Sequence, residues 1–226
     1  MENAFSGLGE PHESKAALGA WSKQALLKQA LPKLRACLRQ RLALFLTCAG
    51  ILLLLYVFSQ YAQMYVGQRT LASEWRQQNA QPAGASSNNA GDAGDALTRL
   101  TIARIQLDAV IVEGTSHQAL KLGPGHMEHS ALPGSSGNSV IAAHRDTFFR
   151  HLDELQQGDE IDVRRQRKVY RFEVTGRQIV EPTDLSVLRQ SASAELTLIT
   201  CYPPHYVGPA PKRLVVVARL MASDPD

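Results

Sequence analysis

The chain has little cysteine and few clustered acidic residues, and both shortages narrow its chemistry. Three cysteines in 226 residues, with no Cys-x-x-Cys pair, exclude a disulfide-dense scaffold and the usual zinc spacings. Glu113, Glu128 and the Asp153-Glu154 pair follow no calcium-ligand pattern, so neither a metal nor another cofactor is expected. A formal net charge of +3 is too small to imply a nucleic-acid partner. The hydrophobic run begins far from Met1 and is followed by no small-x-small cleavage site, which argues against a removable signal peptide.

What the sequence does contain is one long apolar stretch. Leu42 to Phe58 is uncharged, and with its neutral flank through Ala62 it reaches the ~20 residues that cross a bilayer as a helix. Lys23, Lys28, Lys33, Arg35, Arg39 and Arg41 precede it, whereas only Arg69 and Arg76 follow shortly after. The positive-inside rule then places the N-terminus in the cytoplasm and the rest of the chain outside. The expected organisation is a cytoplasmic basic segment (1–41), a transmembrane helix (42–62), a helical extension with a flexible linker (63–96) and a folded domain (97–226). The linker is the run from Gln81 to Asp95, too rich in Gly, Ala, Ser and Asn to bury a core.

The folded domain reads as mainly β with short helices. Leu100 to Ile102, Val110 to Val112 and Asn138 to Ala143 are strand-like, Ile161 and Val163 flank Asp162, and Tyr170, Phe172 and Val174 alternate with charged residues. Thr183 or Asp184 is placed to cap a short helical turn over Leu185 and Leu188. Two strands, Leu196 to Cys201 and Arg213 to Leu220, close the chain around a Pro- and Gly-rich loop. If they pair antiparallel, Cys201 adjoins Arg213.

Cys37 and Cys48 lie before and within the apolar run and read as small apolar fillers, so Cys201 is the lone thiol beyond it. Outside the cytoplasm an unpaired thiol is either buried and inert or retained for its reactivity. A thiol becomes a useful nucleophile beside a base or a fixed cation. His144 ends the buried run Val140 to Ala143, where a strand emerges into a loop. His117, His126, His129 and His151 sit in polar or glycine-rich surroundings and read mostly as solvated loop residues, whereas His205, close after Cys201, competes with His144 as the base.

Leu196-Thr-Leu-Ile-Thr-Cys201, Ala143-His-Arg-Asp-Thr-Phe148 and Lys212-Arg-Leu-Val-Val216 together resemble the sortase family, the membrane-anchored cysteine transpeptidases of bacteria. Leu122-Gly-Pro-Gly-His126, Ala131-Leu-Pro-Gly134, Gly137-Asn-Ser-Val-Ile141 and Gly158-Asp-Glu-Ile161 extend the resemblance over about Leu97 to Leu220, and the anchor and tether suit a class D-like member. It implies an eight-stranded β-barrel with short helices behind an N-terminal transmembrane helix, in a single-pass protein of the bacterial cell membrane. It also implies Cys201, His144 and Arg213 as catalytic residues at the end of a groove. Cys201 would attack an LPxTG-like sorting motif of a secreted protein to form a thioacyl enzyme, which an amine from a cell-wall precursor or another protein then resolves. Thr200 is placed to support the oxyanion, though it reads equally well as an ordinary β-branched strand residue; Ala131, Leu132, Pro133 and His205 are candidate walls of the groove.

Three other readings remain open on the residues. An L,D-transpeptidase is also an exported cysteine acyltransferase, but its Ser-x-Gly-Cys context is absent. A cysteine peptidase would differ only in releasing the acyl group to water. A membrane-tethered binding module without catalysis would keep the barrel and bury the thiol.

Overall fold

The computed structural model describes residues 14–80 and 97–225, and the tether expected at Gln81 to Asp95 lies outside them. The chain divides after Ser59 into two units. The first holds most of the apolar part of α1 (Ser14–Ala80), whose side chains Leu44, Phe45, Leu54 and Phe58 are all more than 60% exposed. A helix with bare hydrocarbon on every side is uncovered by protein, and this one is long and apolar enough to cross a membrane.

The second unit is a closed eight-stranded barrel together with the last third of α1. Its strands are β1 (Thr98–Ile102), β2 (Leu107–Glu113), β3 (Gly125–His126), β4 (Gly137–Ala142), β5 (Glu160–Arg165), β6 (Lys168–Val180), β7 (Ala194–Tyr202) and β8 (Lys212–Pro225). Around the barrel they run β1-β2-β3-β4-β7-β8-β6-β5, with β5 returning to β1. The β2–β3 and β4–β7 pairs are parallel and the remainder antiparallel. Closure removes the exposed edges that an open sheet of this size would present.

Side-chain alternation sorts each strand into two faces. Leu196 and Leu198 of β7, Ile141 of β4 and Leu214, Val216 and Ala218 of β8 point into the barrel, where they pack with Leu100, Phe149, Leu152, Ile161 and Phe172. The intervening residues, Thr197, Ile199 and Cys201 on β7 and Arg213 and Val215 on β8, face outward. The expected strands are present, and Asp184 caps the short helical turn Leu185–Leu188, its carboxylate accepting from the Ser186 N–H at 2.9 Å. Periodicity missed the two-residue β3 and the helix α2 (His117–Leu122), both shorter than the window that a period needs.

The last third of α1 packs on the barrel. The Gln68 amide behaves like one residue of a neighbouring strand: Oε1 accepts from Val110 N–H at 2.9 Å and Nε2 donates to the carbonyls of Val110 at 3.0 Å and Leu122 at 2.6 Å. Gly67 permits this approach, since a Cβ there would lie 3.0 Å from the Leu122 side chain. Further along, Trp75 lies beneath the Arg99 guanidinium, 5.0 Å from ring centroid to Cζ. Arg99 in turn forms a two-point pair with Asp108, both bonds 2.6 Å. These hydrogen bonds hold the Asp108 carboxyl below its ordinary range and raise Arg99, each against the smaller opposing effect of partial burial.

Candidate active site

Three neighbouring strands carry the expected residues at or just beyond their ends. In the antiparallel β7–β8 pair, Cys201 stands directly opposite Arg213, so both side chains leave the same face. In the parallel β4–β7 pair the register runs from Gly137 opposite Ala194 to Ala142 opposite Ile199. The Ala143 N–H continues it by donating to the Ile199 carbonyl at 3.1 Å. His144 follows directly, two residues beyond the last paired residue of β4 and at the end of β7 that carries Cys201. Since β4, β7 and β8 are neighbours, His144, Cys201 and Arg213 come from the ends of three adjacent strands.

The local sequence explains why these ends are held. After Ala143 the chain turns sharply, and the His144 carbonyl accepts from Phe149 N–H at 3.1 Å while the Phe149 ring is buried in the core. The Thr200 hydroxyl, on the inward face of β7, donates to the Ala143 carbonyl at 2.8 Å. That bond ties the residue before the histidine to the residue before the cysteine, and it gives Thr200 a positioning role through its side chain. Arg213 Nη1 donates to the carbonyls of Ala210 and Lys212 at 3.4 and 3.0 Å, so its other nitrogens remain for an incoming oxygen. Cys201 is half-buried and unpaired, within reach of solvent on one side.

Two residues outside the expected set organise loops at the two ends of β4. Arg145 spans from the chain after β4 to the loop after β7, donating to the carbonyls of Pro203 at 3.1 Å, Tyr206 at 2.7 Å and Gly208 at 3.0 Å. Asn138 is 1% exposed and faces outward from β4 beneath the β6–β7 connection. Its Nδ2 donates to the carbonyls of Val187 at 3.1 Å and Arg189 at 3.2 Å, and its Oδ1 accepts from the Thr197 hydroxyl at 2.8 Å. Both residues stood inside quoted motifs, but a side chain whose partners lie about 50 residues away leaves no periodic signal.

The remaining expected residues separate. The Ala131 N–H donates to the Asn138 carbonyl at 3.0 Å, which puts Ala131, Leu132 and Pro133 beside the opposite end of β4 from His144. At ~3.3 Å per strand residue that is roughly 20 Å from the histidine. Ala142 and Ile199 face outward between the two ends and are half-buried, an apolar floor that parity across the β4–β7 pair reveals. His205 is exposed on the loop after β7. His126 is buried, its Nδ1 3.0 Å from Glu113 and its Nε2 3.0 Å from the Ala131 carbonyl, so it supports the Ala131 loop. His117, read as a solvated loop residue, instead opens α2 and sets its ring edge-on to His144, 5.9 Å between centroids.

Comparison with known proteins identifies the family. A family model described as the Sortase domain matches residues 100–221, the whole barrel from β1 into β8. Sortase D of Bacillus subtilis is 37% identical over 57% of this chain and 65% of its own length. Sortase A of Bacillus anthracis is 27% identical over 61% of this chain and 65% of its own length. The structure of a Clostridium perfringens sortase D5 transpeptidase superposes with a TM-score of 0.62 at 27% identity, covering 70% of this chain and 99% of that one. With the barrel, the order of its motifs and the family model all coinciding on one stretch, the chain belongs to the sortase family.

Proposed function

We propose that the chain is a cysteine transpeptidase that cleaves an LPxTG-like sorting motif in secreted proteins and passes the acyl group to an amine. The observation that carries this reading is the pairing of Cys201 with Arg213 at the end of β7 that lies beside the end of β4, from which His144 follows. The Cys201 thiolate attacks the scissile carbonyl, and the developing oxyanion meets the free nitrogens of Arg213, a cation that keeps its charge and several donors. His144 protonates the leaving amine as the C–N bond breaks, leaving a thioester on Cys201. In the second half-reaction the same imidazole takes a proton from the incoming amine.

The outer face of β4 and β7 supplies the track for the substrate. A five-residue extended peptide spans about 17 Å. With its scissile bond at Cys201, its leading leucine and proline would reach towards Ala131, Leu132 and Pro133 across the apolar floor of Ala142 and Ile199. The apolar helix from Leu42 anchors the enzyme in the membrane, with the excess of basic residues before it keeping the N-terminus inside.

The test is incubation of the full chain, in detergent, with a quenched LPxTG-like peptide library, with and without amines, followed by intact mass spectrometry. The expected result is an acyl adduct on Cys201 that disappears in Cys201→Ala and that amines convert to a new amide. Absence of both adduct and cleavage across the library, with site-unselective thiol alkylation, would overturn the reading in favour of a binding module. Release of the acyl group to water alone, whatever amine is supplied, would favour a peptidase.

A further inference from the structure

We propose that the cavity between the last third of α1 and the outer faces of β1 and β2 is a binding site for an anionic phospholipid, with Arg69 holding the phosphate of its headgroup. This rests on the membrane-anchor reading above and is independent of the transpeptidase chemistry. The cavity holds about 300 Å³, at the small end of the ~300–1,000 Å³ of small-ligand sites, a size that suits a headgroup and not a whole lipid. Its described lining residues run from Met64 to Phe148, all within the second unit.

The depth of the site follows from its place along the helix. The apolar run ends at Ala62, and Tyr65 and Arg69 come three and seven residues later on α1. At ~1.5 Å per residue of an upright helix, Tyr65 stands about 5 Å and Arg69 about 10 Å beyond the hydrocarbon. One headgroup layer is ~5–7 Å thick, so the tyrosine ring lies within it and the long arginine side chain can reach back into it.

Charge selects the ligand. The Arg69 Cζ lies 4.3 Å from the centroid of the Tyr65 ring, a contact that orients the guanidinium and leaves its N–H edge free for a two-point bond to a phosphate. Among the described residues Arg69 has no carboxylate partner. Asp108, the carboxylate among the described lining residues, is occupied by its two 2.6 Å bonds to Arg99. Arg164 stands directly opposite Arg99 across the β1–β5 pair and shares Asp162 with Arg171, each at nearly 4 Å, so the cations outweigh the anions around the cavity. A net anionic headgroup relieves that excess. A choline headgroup does not fit as well, because Arg69 already covers the aromatic face that would receive a quaternary ammonium. Met64, Ala72, Val110 and Phe148 complete the wall with apolar surface for the glycerol backbone and the first methylenes of the acyl chains. A phosphate on Arg69 would add a charge-assisted link between α1 and the barrel beside the Gln68 hydrogen bonds.

The experiment is native mass spectrometry of the full chain in a neutral detergent, titrated with dioleoylphosphatidylglycerol or dioleoylphosphatidylcholine, alongside flotation of the chain with phosphatidylcholine vesicles. Phosphatidylglycerol should be retained with an apparent Kd at least about tenfold below that of phosphatidylcholine. Arg69→Glu should weaken its binding at least about tenfold, whereas Arg76→Glu, exposed on the same helix and outside the cavity lining, should do so less than about threefold. Ala72→Trp fills the cavity without changing charge and should weaken it about fivefold; if that variant dislodges α1, the Arg69 and Arg76 pair still decides. Inorganic phosphate, which lacks the apolar part, should not displace the lipid. Equal affinity for the two lipids, equal weakening by Arg69→Glu and Arg76→Glu, or displacement by inorganic phosphate would overturn the site. A chain that does not float with vesicles counts against the membrane anchor, whereas one that floats and shows no lipid preference counts against the cavity alone.

Discussion

The two loops at opposite ends of β4 are anchored by opposite means. The loop after β7 hangs from Arg145, a partly exposed cation that reaches three carbonyls from outside. The β6–β7 connection sits on Asn138, a buried neutral amide that reaches two carbonyls and a hydroxyl from beneath. A buried amide whose every polar atom is satisfied is costly to disturb, because removing it strands several partners away from water. A half-exposed guanidinium can be lost more cheaply, since water replaces its bonds. The difference implies a rigid connection at the far end of β4 and a more adjustable loop next to the thiol.

The largest expected effect comes from breaking the rigid side. Asn138→Leu leaves the Val187 and Arg189 carbonyls and the Thr197 hydroxyl without their partner, and should cost about 3 kcal/mol in urea unfolding. Weakened donor-peptide binding should accompany it, seen as a raised KM with a smaller change in kcat. A loss below about 1 kcal/mol would mean that water enters beneath the connection and that the contrast is false.

Arg145→Ala should act in the other direction, lowering kcat about tenfold while unfolding free energy falls by only about 1 kcal/mol. Arg145→Lys keeps the charge but not the fork, and should restore less than half of the lost activity. Equal effects on kcat and on KM would show that this loop also shapes the donor groove. His205, on the exposed part of the same loop, gives a sharper test: His205→Ala should change kcat/KM less than about threefold, whereas His144→Ala should abolish turnover. If His205→Ala instead removes activity, the proton carrier has been misassigned.

Much of this was legible from residue order because the three residues lie at strand ends. Thr200-Cys201 and Lys212-Arg213 sit on either side of a loop, so antiparallel pairing alone sets the thiol beside the guanidinium. His144 needed one more fact, the parallel β4–β7 register, which no local pattern encodes because the two strands are separated by the whole β5–β6 hairpin. Asn138, Arg145 and His117 were passed over for the same reason: their partners are distant in sequence, and an Asn before an apolar run looks the same whether or not a loop lies over it.

The smallest expected effect lies away from both loops, at the Arg99–Asp108 pair. The pair is partly solvent-exposed, so Asp108→Asn should cost about 0.5 kcal/mol and leave turnover untouched. The folded-state pKa of Asp108 is depressed, so its contribution is present above the unfolded carboxyl pKa and fades as pH falls through the folded value. The wild-type and Asp108→Asn stabilities should therefore converge in acid. Divergence there would show that the pair is coupled to Trp75 and the packing of α1.

The sequence by itself determined the long apolar helix and most strands of the barrel, because hydropathy and alternation are properties of neighbours along the chain; it offered Cys201, His144 and Arg213 as candidates through motifs that resemble those of sortases. Only the tertiary structure decided that these three come from the ends of adjacent strands, that Arg145 and Asn138 hold the loops at the two ends of β4, and that the end of α1 packs against the barrel to enclose a cavity at His144. Those outcomes depend on register and on hydrogen bonds closed across many tens of residues, where the energy of a contact is set by which groups meet and not by which groups follow one another.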